Sequence, residues 1–138
     1  MADCGYWPLP AASPHRTFSS ERQRSEREIA AAYERIRRDL ERPDTAGLSP
    51  ALASDYMVVR QAVAAALSWV LGLTADAPVS GRAMPNPAPL HIWSEYAATL
   101  DVRDDLREVP PGLSRHFVSA VELALDWVQG HAEAPLTA

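Results

Sequence analysis

Apolar residues recur along this chain at helical rather than strand spacing, and four segments carry the rhythm. In the first, Ile29, Tyr33, Ile36 and Leu40 follow a 4-3-4 spacing that keeps them within about 60° of one another at 100° per residue. Ser20 with Gln23 three residues on has the form of a capping box, so the pattern predicts a helix from about Ser20 to Glu41. Pro43, Asp44 and Gly47 follow it as breakers. The second helix is expected from Ser49-Pro50, a hydroxyl cap followed by proline where the absent N–H costs nothing, to about Leu71, with Gly72 as its stop. Its stripe is Leu52, Tyr56, Val59, Val63, Ala66 and Val70. Four prolines in residues 73–89 then forbid a helix and favour an extended connection.

A third helix is expected from about Leu90 to Leu100, resuming after a break at Asp101 and running to about Val109, where Pro110-Pro111-Gly112 closes it. The fourth, about Ser114 to Gln129, is cleanly two-faced. Phe117, Val121, Ala124, Leu125 and Val128 face inward, and Ser119, Glu122, Asp126 and Gln129 outward. No window alternates with a period of two, so the fold class is all-α. Residues 1–19 combine three prolines with small polar residues and read as an irregular N-terminal arm with Tyr6, Trp7 and Leu9 as its bulky groups. Residues 20–132 form one helical domain, and 133–138 a short tail.

Sliding the chain over itself by 58 residues superposes 59–72 on 117–130 with seven of fourteen positions identical, including a shared Trp-Val-x-Gly ending at Trp69 and Trp127. A fainter echo pairs Ile29 and Tyr33 with Ile92 and Tyr96. The expected architecture is therefore a four-helix bundle built from two similar helical hairpins. The copies differ on one face. Where the fourth helix has Ser119, Glu122, Asp126 and Gln129, the second has Gln61, Ala64, Ser68 and Leu71. A helix apolar nearly all round is central in its domain or covered by a second chain, so a homo-oligomer is one expectation.

Charge adds a second theme. All thirteen cations are arginine, which points to a GC-rich coding genome, bacterial or from a phage, more than to phosphate binding. The distribution is segregated: eight arginines and six acids lie in residues 16–42, against five arginines and twelve acids elsewhere. On the first helix Arg24, Arg27, Arg35, Arg38 and Arg42 project into an arc of about 80° opposite the apolar stripe. Such a row suits an acidic protein surface or, alternatively, phosphates of a nucleic acid. The flanking acids Glu28, Glu34, Asp39 and Glu41 argue instead for a solvated face that neutralises itself.

Chemistry beyond this is sparse. His91 and Glu95 share a helix face at i, i+4 ahead of Asp101, Asp104, Asp105 and Glu108, but His15, His116 and His131 are scattered, so no metal and no cofactor is expected. The acidic run reads better as the start of a helix. No nucleophile–base pair, phosphate loop or G-x-S-x-G turn is found, so no catalytic residue is assigned. Cys4 alone allows no internal disulfide, the first residues have neither the basic start nor the apolar run of a secretory signal, and the longest uncharged stretch, 61–75, is too short to span a bilayer. The expectation is a cytoplasmic, non-enzymatic protein-interaction module: an adaptor, inhibitor or regulatory subunit. It would act through helix faces, the arginine row and the proline-rich loop, where Arg82, Met84 and Asn86 are the docking candidates.

Overall fold

The computed structural model describes residues 23–131. The arm of residues 1–19, the Ser20 cap and the tail of residues 133–138 lie outside the described residues. Four helices are present: α1 (Glu26–Glu41), α2 (Pro50–Val70), α3 (Pro89–Arg103) and α4 (Arg115–Val128). Among the described residues extended pairing is limited to one isolated bridge, between Asp76 and Ala83. The all-α bundle expected from the periodicity is the fold.

Two boundaries differ from expectation, each for a tertiary reason. α1 starts at Ser25, not Ser20. Ser25 Oγ accepts the Glu28 N–H at 3.1 Å, and Glu28 Oε1 accepts the Ser25 N–H at 3.2 Å, a reciprocal capping box. The bond from the Ser25 backbone, more than any other influence, holds the Glu28 carboxyl below its usual range. Arg24 cannot join the helix because its backbone N–H donates to Val128 O at 2.9 Å, at the far end of the chain. The second departure is in α3, which runs unbroken through Asp101 to Arg103 and does not resume towards Val109. The Leu106 N–H returns to Asp101 O at 2.8 Å and Asp105 adopts φ 59°, so the acidic run closes a helix instead of opening one. Arg107 comes back to Asp101 at 3.6 Å and Arg115 to Asp105 at 2.5 Å, ion pairs that only the folded chain supplies.

α2 packs on both α1 and α4, and α3 packs on α4. The N-terminus of α1 meets the C-terminus of α4 through Arg24, and it shares a depression with Val70, Leu71 and Ile92. The C-terminal ends of α2 and α4 and the N-terminal ends of α1 and α3 therefore gather at one pole. Ile29, Ala32 and Ile36 of α1, Val63, Ala66 and Leu67 of α2, Ile92, Tyr96 and Leu100 of α3, and Val121, Leu125 and Val128 of α4 form the core. Two helical neighbours account for the missing polar face of α2. Its first half still extends past them, leaving Leu52 55% exposed.

α2 and α4 end alike. Gly72 and Gly130 have φ 79° and 80°, and each donates its N–H to the carbonyl of the preceding tryptophan at 3.0 Å. The next residues, Leu73 and His131, reach back to Ser68 O and Asp126 O at 2.8 and 3.0 Å. This is the Schellman arrangement, which needs a left-handed residue and so selects glycine. Trp69 and Trp127 are both buried at this pole, next to the glycine caps. Two outward assignments on α4 do not hold. Gln129 is buried, with Nε2 donating to Leu125 O at 3.0 Å. Asp126 accepts the Tyr96 hydroxyl at 2.9 Å and lies 3.0 Å from His131 Nδ1.

Candidate functional site

The proline-rich connection is ordered by its own short bonds. Ala77 N–H donates to Arg82 O at 2.9 Å, Gly81 N–H to Ala77 O at 3.0 Å and Met84 N–H to Ala75 O at 2.7 Å, which fold residues 75–84 into a tight hairpin. Three side chains fasten it to the pole of the bundle. Glu95 of α3, only 5% exposed, accepts the Val79 and Ser80 N–H groups on one oxygen, Oε2, at 2.7 Å each. Trp69 Nε1 donates to Met84 O at 3.1 Å. Asn86, at φ 52°, lays its Oδ1 over Gly72, where a Cβ would stand 2.2 Å from it.

Between hairpin and helix lies a cavity bordered by Trp69, Ala77, Ser80, Arg82, Met84, His91, Ser94 and Glu95. About 30 Å³ of it admits the centre of a water-sized sphere. Trp69, Ala77 and Met84 make an apolar wall, and the polar groups converge from the other side. His91 Nδ1 accepts the Ala88 N–H at 3.1 Å, which places the hydrogen of the neutral ring on Nε2. Glu95 Oε1 takes no hydrogen bond from any described residue, and no described carboxylate stands within ion-pair distance of Arg82.

Two of the three loop residues singled out from the sequence, Arg82 and Met84, thus border one cavity, whereas Asn86 is committed to the cap of α2. The i, i+4 pair His91 and Glu95 does share a face, as its spacing requires, yet both side chains are engaged by backbone N–H groups. Among the described residues no group of three His, Cys, Asp or Glu side chains is placed to hold a metal ion. Glu95 is the residue that sequence reasoning undervalued. A signal existed: it falls between Ile92 and Tyr96 inside the buried arc of α3, where an uncompensated carboxylate is costly and so has to be answered by hydrogen bonds.

No family model, curated protein or solved structure matches the chain.

The arginine row is altered at one end and sharpened over the rest. Arg24 leaves it: the residue precedes α1, its Nε donates to Trp127 O at 2.9 Å, its guanidinium lies 4.4 Å from the Trp127 ring centroid, and it pairs with Glu28 at 3.5 Å. Arg27, Arg35, Arg38 and Arg42 are exposed. The acids expected to neutralise them are engaged elsewhere. Glu34 and Glu41 both hold Arg37, at 3.1 and 2.6 Å, and Asp39 reaches across to Arg60 of α2 at 3.4 Å. Glu34, first, and Glu41 raise the Arg37 guanidinium above its already high value. Four guanidinium groups thus stand over about 22 Å of helix without a carboxylate among the described residues at ion-pair distance.

Proposed function

We propose that this protein is a non-enzymatic interaction module, an adaptor or regulatory subunit of the cytoplasm, and that it docks on an acidic protein surface through Arg27, Arg35, Arg38 and Arg42 of α1. The observation that carries this reading is the diversion of Glu34, Glu41 and Asp39 to Arg37 and Arg60, which leaves the row charged and uncompensated. A self-neutralising helix would spread those acids among all its arginines. Guanidinium groups are weakly hydrated and fork-shaped, and they bind planar carboxylates in pairs of parallel bonds, so an unpaired row of them favours an acidic partner. The surplus of negative charge outside residues 16–42 disfavours a polyphosphate chain, which would meet repulsion on either side of the row.

The test compares the full chain with Arg35→Glu plus Arg38→Glu, and with Arg37→Gln as a control that alters the neighbouring, already paired arginine. Each is used as bait in lysate of the native host at low salt, and retained protein and nucleic acid are both quantified. The reading expects a defined acidic protein retained by the wild type and by Arg37→Gln, and lost from the double variant while its circular dichroism is unchanged. Retention of the same proteins by all three baits refutes it. Retention of nucleic acid whose affinity falls with a log–log salt slope of about 3 to 4, as four neutralised phosphates imply, transfers the row to the phosphate reading.

A further inference from the structure

The cavity under the 75–84 hairpin holds an unusual pair of charges. Glu95 is nine-tenths buried, and its two hydrogen bonds fall on a single oxygen, Oε2, while Oε1 accepts none from a described residue and keeps some contact with solvent. Arg82 borders the same cavity, with its backbone fixed: its N–H donates to Ser80 Oγ at 3.3 Å and its carbonyl accepts from Ala77. The two charges nevertheless do not pair, since no oxygen of Glu95 comes within 4.0 Å of the Arg82 guanidinium. Opposite charges that share one small cavity without touching complement a ligand carrying both signs.

We propose that this cavity is a binding site for a small zwitterion, a free amino acid with a small side chain. Its ammonium group meets Glu95 Oε1, and its carboxylate meets Arg82. About 30 Å³ admits the centre of a water-sized sphere, room for one small polar group, and the free volume of about 280 Å³ runs out into open solvent, where the rest of the ligand would lie. The hydroxyls of Ser80 and Ser94 and the Nε2–H of His91 also border the cavity and are donors suited to a carboxylate. Trp69, Ala77 and Met84 form a wall that accepts a hydrogen or methyl as the ligand's side chain. A simple cation would satisfy Glu95 and be repelled by Arg82; a simple anion would meet the reverse. Only a ligand of both signs gains from each.

Titration calorimetry on the full chain decides the matter, with glycine, L-alanine and L-serine as probes, and glycinamide and N-acetylglycine as analogues that each lack one charge. The expected result is binding of at least one amino acid, weakened about tenfold or more in the analogues, as loss of a charge-assisted bond implies. Arg82→Gln, at a half-exposed hairpin position, is expected to weaken binding to a similar degree while leaving thermal unfolding of the apoprotein in place. Glu95→Gln keeps an acceptor for the hairpin N–H groups and removes the charge, so it too abolishes tight binding. Absence of heat with all three amino acids at about 10 mM, weaker than any affinity of use at metabolite levels, overturns the proposal. So does equal binding of amino acid and analogues, or an affinity that Arg82→Gln leaves unchanged.

Discussion

Replacing Gly72 by alanine tests whether the cap of α2 and the proline-rich hairpin are one mechanical unit. Two costs arise there. At φ 79° any Cβ crowds its own backbone, roughly 1–2 kcal/mol for a residue held in the left-handed region. In addition the new methyl would lie 2.2 Å from Asn86 Oδ1, so Asn86 must move, and displacing a packed group of this kind costs roughly another 1–3 kcal/mol. Gly47 supplies the internal standard, because at φ 83° it bears the first cost, while a Cβ there would meet nothing within 4 Å. Urea unfolding should therefore place Gly47→Ala about 1 kcal/mol below the wild type and Gly72→Ala about 3 kcal/mol below it. At roughly 4 °C per kcal/mol, the difference between them is about 8 °C in Tm. Asn86→Gly tolerates its own positive φ and removes the obstructing oxygen, so in the Gly72→Ala background it should recover about 1 kcal/mol or more, a coupling that a double-mutant cycle reads directly. Equal losses at Gly47 and Gly72, or no coupling with residue 86, would show that the hairpin does not rest on the α2 cap.

Two further outcomes follow from buried polar groups. Desolvation raises the Asp101 carboxyl above the ordinary aspartate value despite the opposing pull of Arg107, so the native state binds that proton more tightly than the unfolded chain does. Its contribution to stability is full below the unfolded pKa and is lost as pH rises through the folded one. Asp101→Asn should thus gain stability relative to wild type between about pH 4 and pH 7 in urea midpoints; a relative loss on raising the pH would mean that the Arg107 ion pair outweighs burial. Trp69→Phe keeps the ring packing and removes the Nε1–H that Met84 O accepts, which should cost about 1 kcal/mol and speed amide exchange at Ala77 and Met84 more than in α4. Uniform exchange across the chain would contradict that hairpin anchor.

How far the sequence could be read depended on whether a signal was local. Ser49-Pro50, Ser114, Gly72 and Gly130 each mark a helix end through their own geometry, and the structure uses all four. α1 starts five residues later than the Ser20–Gln23 pattern predicts, because Ser25 and Glu28, at the same spacing, form the capping box. What favours the later pair is the anchoring of Arg24 to Trp127 and Val128, a contact more than a hundred residues away along the chain. The end of α3 was misjudged for a similar reason. Asp101 to Glu108 looks like the acidic first turn of a helix until Arg107 and Arg115 fold back on it. The proline-rich composition of residues 73–89 marks the connection in which Arg82 and Met84 lie, and the structure adds that both border one cavity. Glu95 could be weighed only once the hairpin was seen to place two N–H groups on it.

The C-terminal end of α2 and the start of α3 lie at one pole, where Trp69 and Glu95 border the same cavity. The 18 residues between Val70 and Pro89, against 8 between α1 and α2 and 11 between α3 and α4, are therefore more than that short crossing requires. The surplus length folds back into the 75–84 hairpin, so that Ser80, Arg82 and Met84 give the cavity a wall that the helices alone do not supply.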